Sequence, residues 1–310
     1  MILLCGIPTE PPIRLVTEAA EECGCEYVMF NQRMAESTDI CLEIISGKVD
    51  GILKIGSSKW SLRDFSGVYM RMMDYQDLPE NKPSRQGIHN PEQVLHSALL
   101  HNVFNNWLEM ADCRIMNKSS SMNSNMSKPF QAQFIIKAGF KTPNTLITNT
   151  PDEVRKFQKT NKKIIYKSIS SERSIVKVLG DVKLNELNTV RHLPTQFQEY
   201  IPGENIRVHV AGSEIFATKI LSDATDYRYA NDEGFETDMV PFELPSEIEK
   251  KCKFLSKCLN LPLCGIDLKK KPDGDCYCFE VNPSPAYSYY QEHTGQNISR
   301  AIINYLIGND

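Results

Sequence analysis

The chain has 310 residues at 35.2 kDa, 41% hydrophobic and 24% charged, enough to bury a large core and divide into two or three domains, which excludes a mini-protein that needs staples. Lys and Arg number 35 against 39 Asp and Glu, a formal charge of -4, so no global positive field gathers nucleic acid or anionic lipid and any anion must be held locally. No apolar run approaches the roughly 20 residues that span a bilayer, Met1 to Ile7 is too short and lacks a basic leader, and the 10 cysteines are too sparse for a disulfide scaffold: a cytoplasmic protein with reduced thiols and no membrane or nucleic-acid partner is expected.

Taken in chain order, Ile2 to Ile7 reads as a strand, Pro12 to Cys23 as an amphipathic helix stopped by Gly24, and Cys25 to Phe30 as a second strand, the start of an open α/β unit. The apolar runs Ile40 to Ile45 and Ile52 to Ile55 flank Ser46-Gly47-Lys48 as a hairpin, and Val68 to Met72 is a further strand. A polar insert, Pro79 to Asn90, precedes a helix from Pro91 to Met110. From Asn117 to Ser127 the composition turns to Ser, Asn and Met without apolar periodicity, so no element is expected there and the first boundary falls in it. A helix from Lys128 to Ala138 ended by Gly139, a strand through Thr145 to Ile147, a helix with Thr150 as N-cap and Pro151 in its first turn, and the strand Ile164 to Ser168 make a second unit. From Pro194 onward strands dominate: Phe197 to Ile201, Ile206 to Ala211, Ile215 to Ile220 and Met239 to Phe242. A capping box, Ser246 to Glu249, opens a helix with Ile248, Cys252, Leu255 and Leu259 on one face, and a last helix carries Ile298, Ala301, Ile302, Tyr305 and Leu306. The expected units are 1–116, 117–193 and 194–310. Cys23/Cys25 and Cys276/Cys278 are each separated by one residue, against the two to four of zinc ribbons, and read as small hydrophobes.

Cys264 to Asn282 is the most informative stretch. With Asp273-Gly274 as a two-residue type I′ turn, Ile266 faces Val281 and Leu268 faces Phe279, which puts four apolar residues on one side of the ribbon. On the other side Asp267 lies across from Glu280, with Asn282 two residues along. Like charges directly opposite destabilise a sheet. Either both acids point to water, or a hard divalent cation held by carboxylate and amide oxygens reverses the sign of their interaction.

At these residues the chain resembles the ATP-grasp ligases, particularly the RimK-type branch. Gly265-Ile266-Asp267-Leu268 with Phe279-Glu280-Val281-Asn282-Pro283 is similar to that family's Mg²⁺-binding signature. Upstream, Lys128 to Gln131 and Ile164-Ile165-Tyr166-Lys167 resemble segments that bring lysines to the nucleotide phosphates. Phe197 to Ile201 resembles the adenine hinge, and Glu204 to Val210 the ribose and transition-state segment. The resemblance implies an α/β (α+β) chain: an ATP-grasp fold with an N-terminal open α/β pre-ATP-grasp domain and an antiparallel C-terminal sheet. It implies ATP and Mg²⁺, two ions, as cofactors. Lys128 and Lys167 would face the triphosphate, Glu199, Tyr200 and Ile201 the adenine, Glu204 the ribose, and Asp267, Glu280 and Asn282 the metal. Arg207 alternates with Ile206 and Val208, so it emerges on the polar face, where its fork can clamp an acyl phosphate. Lys219 is a second candidate for that centre, and His209 is read as a neighbour.

Two departures stand out. Ser168 to Ser174 has no glycine where many relatives carry a glycine-rich loop over the triphosphate, and Asn205 stands where RimK-type enzymes often have Asp. Tyr69-Met70-Arg71 is similar to a segment of the microviridin-type peptide-macrocyclising ligases. Arg71 either holds a substrate carboxylate or bridges domains, and Arg173 is a further substrate candidate. The resemblance implies a carboxylate–amine or carboxylate–alcohol ligase working through an acyl phosphate, with ATP and a carboxylate partner, a ribosomal precursor peptide among the candidates, and a homodimeric assembly. A small-molecule amino-acid ligase, an ATP-grasp kinase and a nucleotide-binding scaffold are the other readings.

Overall fold

The computed structural model describes residues 1–83, 90–169, 176–180, 187–222 and 237–310. The chain opens with β1 (Ile2–Gly6), α1 (Pro11–Glu22) and β2 (Tyr27–Asn31). All five residues of β1 are buried, as a strand covered on both faces requires. β3 (Thr38–Ile45) and β4 (Lys48–Ile55) form the expected hairpin, with Ser46 and Gly47 at φ 53° and 77° as a type I′ turn demands. β5 (Ser58–Ser61) adds a third strand that the short polar run Ser-Lys-Trp-Ser concealed. β6 (Gly67–Met70), α2 (Pro91–Met110) and β7 (Arg114–Met116) complete a parallel sheet in the order β2-β1-β6-β7.

The stretch after Met116 is not structureless. It holds α3 (Ser119–Met122) and a 3-10 turn over Asn123–Met126. Polar contacts pin it to α2: Lys118 Nζ donates to the Glu109 carbonyl, the Ser120 amide and hydroxyl to the Glu109 carboxylate, and Ser119 Oγ to Asn105. Short elements held by hydrogen bonds leave no apolar period to read.

α4 (Lys128–Lys137) is capped by the Ser127 side chain and stops at Gly139, φ 81°. β8 (Thr145–Thr148), α5 (Pro151–Asn161), β9 (Ile164–Lys167), β10 (Lys177–Leu179) and β11 (Thr195–Glu199) follow, and their antiparallel sheet runs β10-β9-β11-β8. Thr150 precedes α5, but its side chain makes no capping hydrogen bond. β12 (Glu204–Ala211), β13 (Glu214–Leu221), β14 (Asp238–Pro241), α6 (Ser246–Leu259), β15 (Leu263–Lys270) and β16 (Cys276–Asn282) form the last unit, whose five-stranded antiparallel sheet runs β14-β13-β12-β15-β16. The capping box at Ser246 does not form, because Ser246 is already helical and Pro245 occupies the cap. α7 (Tyr287–Thr294) and α8 (Ile298–Ile307) close the chain. No helix among the described residues is long and apolar enough to cross a membrane.

The β15–β16 hairpin departs from the expected register in two places. The turn is a three-residue loop, Pro272-Asp273-Gly274: the Gly274 amide donates to the Lys271 carbonyl, the Lys271 amide to the Asp275 carbonyl, and Gly274 sits at φ 91°. That extra loop residue slips the pairing by one, so Leu268 faces Cys278 rather than Phe279. A bulge between Asp267 and Leu268 then restores it, and Asp267 faces Glu280 while Ile266 faces Val281. Phe279 is the residue the bulge displaces from the ladder.

Candidate active site

On the polar face of the last sheet, two rows of residues cross three adjacent strands. Arg207 lies opposite Asp267, and Asp267 opposite Glu280; two residues along the strands, His209 lies opposite Gly265, and Gly265 opposite Asn282. The other face, with Ile206, Val208, Val210, Ile266, Leu268, Cys278 and Val281, packs on α6 and α4 as one core cluster. Period-two alternation thus holds the polar grid in place by burying its reverse.

Within the grid, Asp267 is engaged on both oxygens: Arg207 Nη1 donates to Oδ1 at 2.7 Å and Asn282 Nδ2 to Oδ2 at 3.2 Å. Lys128, at the first position of α4, reaches Glu280 Oε2 at 3.5 Å. Two acids therefore stand with two bases, and the repulsion between Asp267 and Glu280 that the sequence suggests is already offset. Asp267, Glu280 and Asn282 nonetheless share one face, and their carboxylate and amide oxygens are a donor set of the hard kind that suits Mg²⁺. Arg207 is 7% exposed and Asp267 27%, so this pair works in a medium that screens poorly.

His209 is fully buried, its ring against Tyr290 at 4.8 Å, and its Nε2 accepts from Arg207 Nε at 3.4 Å. Burial first, and the Arg207 charge second, hold its pKa well below the ordinary 6.5. It is a neutral neighbour of the cation. Lys219 is not brought to this centre: it lies opposite Ile206, on the reverse face from Arg207, and its ammonium pairs with Glu204.

The β8–β11 sheet supplies the facing wall. Lys167 pairs across from Gln196, and Gln198 from Thr145, so their side chains share one face, while Leu146, Ile164, Tyr166 and Phe197 pack on α5 behind it. That face and α4 line a cleft of about 450 Å³ with Lys128, Gln196, Gln198 and the displaced Phe279 among its walls. Gln196 and Gln198 are buried, and the Oε1 of each has no hydrogen-bond partner among the described residues. The orientation of Gln198 is fixed, because its Nε2 donates to Thr145 Oγ1, whose own hydrogen goes to the Pro143 carbonyl. An unpaired buried acceptor awaits a donor.

At the hinge the Glu199 amide donates to the Asn144 carbonyl while the Glu199 carboxylate accepts from the Asn144 amide, and the Tyr200 amide donates to Lys163. The Glu199 side chain is thus spent on holding the hinge; Ile201 follows, buried. Arg71 ties the end of β6 to the loop after β16: its Nε donates to Glu10 at 2.8 Å and its Nη1 to Ser284 Oγ at 2.9 Å and to the Pro285 carbonyl at 3.2 Å. Arg173 and most of the glycine-free loop, residues 170–174, lie outside the described residues.

Three supports escaped the sequence reading. β16 is an edge strand, and the Gln131 side chain of α4 stands in for its missing neighbour, donating to the Val281 carbonyl at 2.7 Å and accepting from the Val281 amide at 2.8 Å. Asn117 accepts from the Leu263 amide at 3.0 Å and donates to the carbonyls of Leu263 and Pro283, which ties the start of β15 to the loop after β16. Gly265 is the third. For the cleft glutamines the signal was present, since Thr195-Gln196-Phe197-Gln198 alternates polar and apolar; for Gln131 and Asn117 no pattern marks the contact.

The sequence matches the RimK-like ATP-grasp domain family over residues 126–306, more than half of the chain. It is 24% identical over 212 residues to a probable alpha-L-glutamate ligase 2 of Pseudoalteromonas atlantica, covering 65% of this chain and 69% of that protein. It is 22% identical to beta-citrylglutamate synthase B of Danio rerio, of which it spans about half, 52%. Over 100% of its length the fold is similar to the RiPP-associated ATP-grasp ligase of Chryseobacterium gregarium, solved with ADP and a leader and core peptide, at a TM-score of 0.80, 24% identity and 97% of that chain. Macrocyclase MdnC of Microcystis aeruginosa, bound with its precursor peptide MdnA, gives a TM-score of 0.79 at 23% identity with both chains covered in full. With the family match spanning the grid, the hinge, Lys128 and Lys167, the chain belongs to the RimK-like ATP-grasp family and is an ATP-grasp ligase.

Proposed function

We propose that the protein is an ATP- and Mg²⁺-dependent ligase that activates a carboxylate as an acyl phosphate and joins it to an amine or hydroxyl, with a ribosomal precursor peptide as substrate. The observation that carries this reading is the grid: a buried guanidinium, two carboxylates, an amide and Lys128 converge beside a cleft lined by buried acceptors. Likeness over the whole chain length to two ligases solved with peptides supports the peptide arm.

In this scheme the γ-phosphoryl group passes from ATP to a carboxylate oxygen, ADP leaves, the nucleophile attacks the acyl carbon, and inorganic phosphate departs. Asp267, Glu280 and Asn282 would hold Mg²⁺, which when bound screens the phosphate charge. Lys128 and Lys167 take up triphosphate charge from two walls. The hinge backbone at Glu199 to Ile201 meets the adenine edge, and the exocyclic amine supplies the donor that the oxygens of Gln196 and Gln198 lack. Glu204, on the reverse face from Arg207 and paired with Lys219, takes no part in this arrangement. Arg207 clamps the transferring group, preorganised by Asp267 before substrate arrives.

Incubation with ATP, Mg²⁺ and a peptide rich in Ser, Thr, Lys, Asp and Glu is expected to release ADP and leave the peptide lighter by one water per crosslink. Asp267→Asn and Glu280→Gln are each expected to lower ADP release by about 100-fold or more. Full activity in both variants contradicts the metal assignment, and AMP with pyrophosphate contradicts the acyl phosphate. A peptide heavier by a phosphoryl group makes the protein a kinase. The names of the curated relatives favour a second reading, ligation of a free amino acid, which ADP release with glutamate and no peptide would support.

A further inference from the structure

Each position of the grid is occupied by a side chain except the middle of its second row. Gly265 lies between His209 and Asn282 and next to Asp267, on the face the site uses. It is an unlikely residue for a central strand, since glycine there costs conformational entropy and contributes no packing. Its backbone does not demand glycine: its φ lies outside the left-handed region, and all seven of its strand-mates in β15 carry side chains. What demands it is Arg207. A Cβ built on Gly265 would stand 2.0 Å from Arg207 Nη2, 2.4 Å from Cζ and 2.7 Å from Nε, and these are its three nearest atoms. The guanidinium lies flat over the missing side chain.

We propose that Gly265 is a positioning residue for the ligase reaction, the seat that lets the Arg207 guanidinium fold back along the sheet between Asp267 and His209. The proposal rests on the reading of Arg207 as the phosphoryl clamp. Seated there, the fork is held at three edges: Nη1 on Asp267, Nε on the neutral His209 ring, and the Tyr290 ring 5.6 Å from Cζ. Any Cβ at 265 lifts the plane of the fork off the sheet and away from the Asp267 carboxylate. The obstruction is the end of a side chain, so the strand keeps its course and the displaced group is Arg207 alone.

The test is a double-mutant cycle of Gly265→Ala with Arg207→Ala, read by ADP release and by thermal melting of the full chain. Gly265→Ala is expected to fold, to lower kcat by about 100-fold and to leave the KM for ATP within about threefold, because the clamp is lost while the nucleotide cleft is not. It should also lower the melting temperature when Arg207 is present and leave it unchanged in the Arg207→Ala chain, where nothing occupies the seat. An equal melting loss in both backgrounds, or a Gly265→Ala enzyme with normal kcat, overturns the seat. If Gly265→Ala does not fold, the Arg207→Ala/Gly265→Ala chain should, and failure of both also overturns it. Normal turnover in Arg207→Ala instead overturns the clamp reading, while the melting cycle still reports on the seat.

Discussion

His209 shows how one residue ties stability to the site. Its ring is fully buried beside Arg207, so in the folded protein it refuses a proton that the unfolded chain accepts below 6.5. The unfolded state then binds more protons, and stability falls as pH falls, by up to about 1.4 kcal/mol for each pH unit below that value. Melting temperature is expected to drop between about pH 7.5 and about pH 5.5, and His209→Gln, which retains an acceptor for Arg207 but cannot titrate, should flatten that slope. An unchanged slope in His209→Gln would assign the acid sensitivity to other groups. Residue types on an alternating strand made Arg207, His209, Asp267 and Glu280 legible in sequence, because alternation alone sorts a strand into two faces. Gly265 was not legible as a functional position, since the need for glycine comes from a side chain on another strand 58 positions away.

At the scale of elements, the hairpin carries Asp267 and Glu280 into register through two opposed irregularities. A two-residue turn and an unbroken ladder give the same Asp267–Glu280 pairing as a three-residue loop and a bulge, so the sequence reading reached the right pair by a different path. The difference is chemical, since only the bulge releases Phe279 to the cleft wall. β16 carries Glu280 and Asn282 on an open sheet edge, and Gln131 closes that edge between them. Gln131→Leu leaves the buried Val281 amide and carbonyl unpaired, at a cost of about 2–4 kcal/mol. It is expected to lower the melting temperature and to weaken Mg²⁺-dependent nucleotide binding together, whereas Lys137→Gln on the exposed side of the same helix should change neither. Calorimetric titration of Mg²⁺ with ADP measures the second effect; unaltered binding in Gln131→Leu would mean that β16 holds its course without the helix.

For the whole molecule, the boundaries drawn in sequence do not coincide with the cores. One apolar cluster joins Ile2, Leu4, Ile13, Val16 and Tyr69 of the first unit to Leu263, Tyr287, Ile298, Ile302 and Leu306 of the last. The β8–β11 sheet has a separate cluster of Val154, Ile164, Leu179, Leu187 and Phe197, none of it shared with the first. Contacts between residues some 300 positions apart leave no local pattern, which is why chain order suggested three units in succession. Arg71 crosses the same junction, gripping the loop that follows Asn282. The first and last units should therefore unfold together, with the β8–β11 sheet free to loosen on its own. Both tryptophans, Trp60 and Trp107, lie in the first unit, so their fluorescence reports its unfolding without a label. Ile302→Ala, in the last helix, removes buried methyl groups at a cost of about 2–5 kcal/mol, and that loss should appear in the tryptophan transition. Val154→Ala, an equivalent truncation in the β8–β11 cluster, should shift the same signal far less. If Ile302→Ala leaves the tryptophan midpoint in place while circular dichroism records an earlier loss of structure, the shared core does not couple the two units.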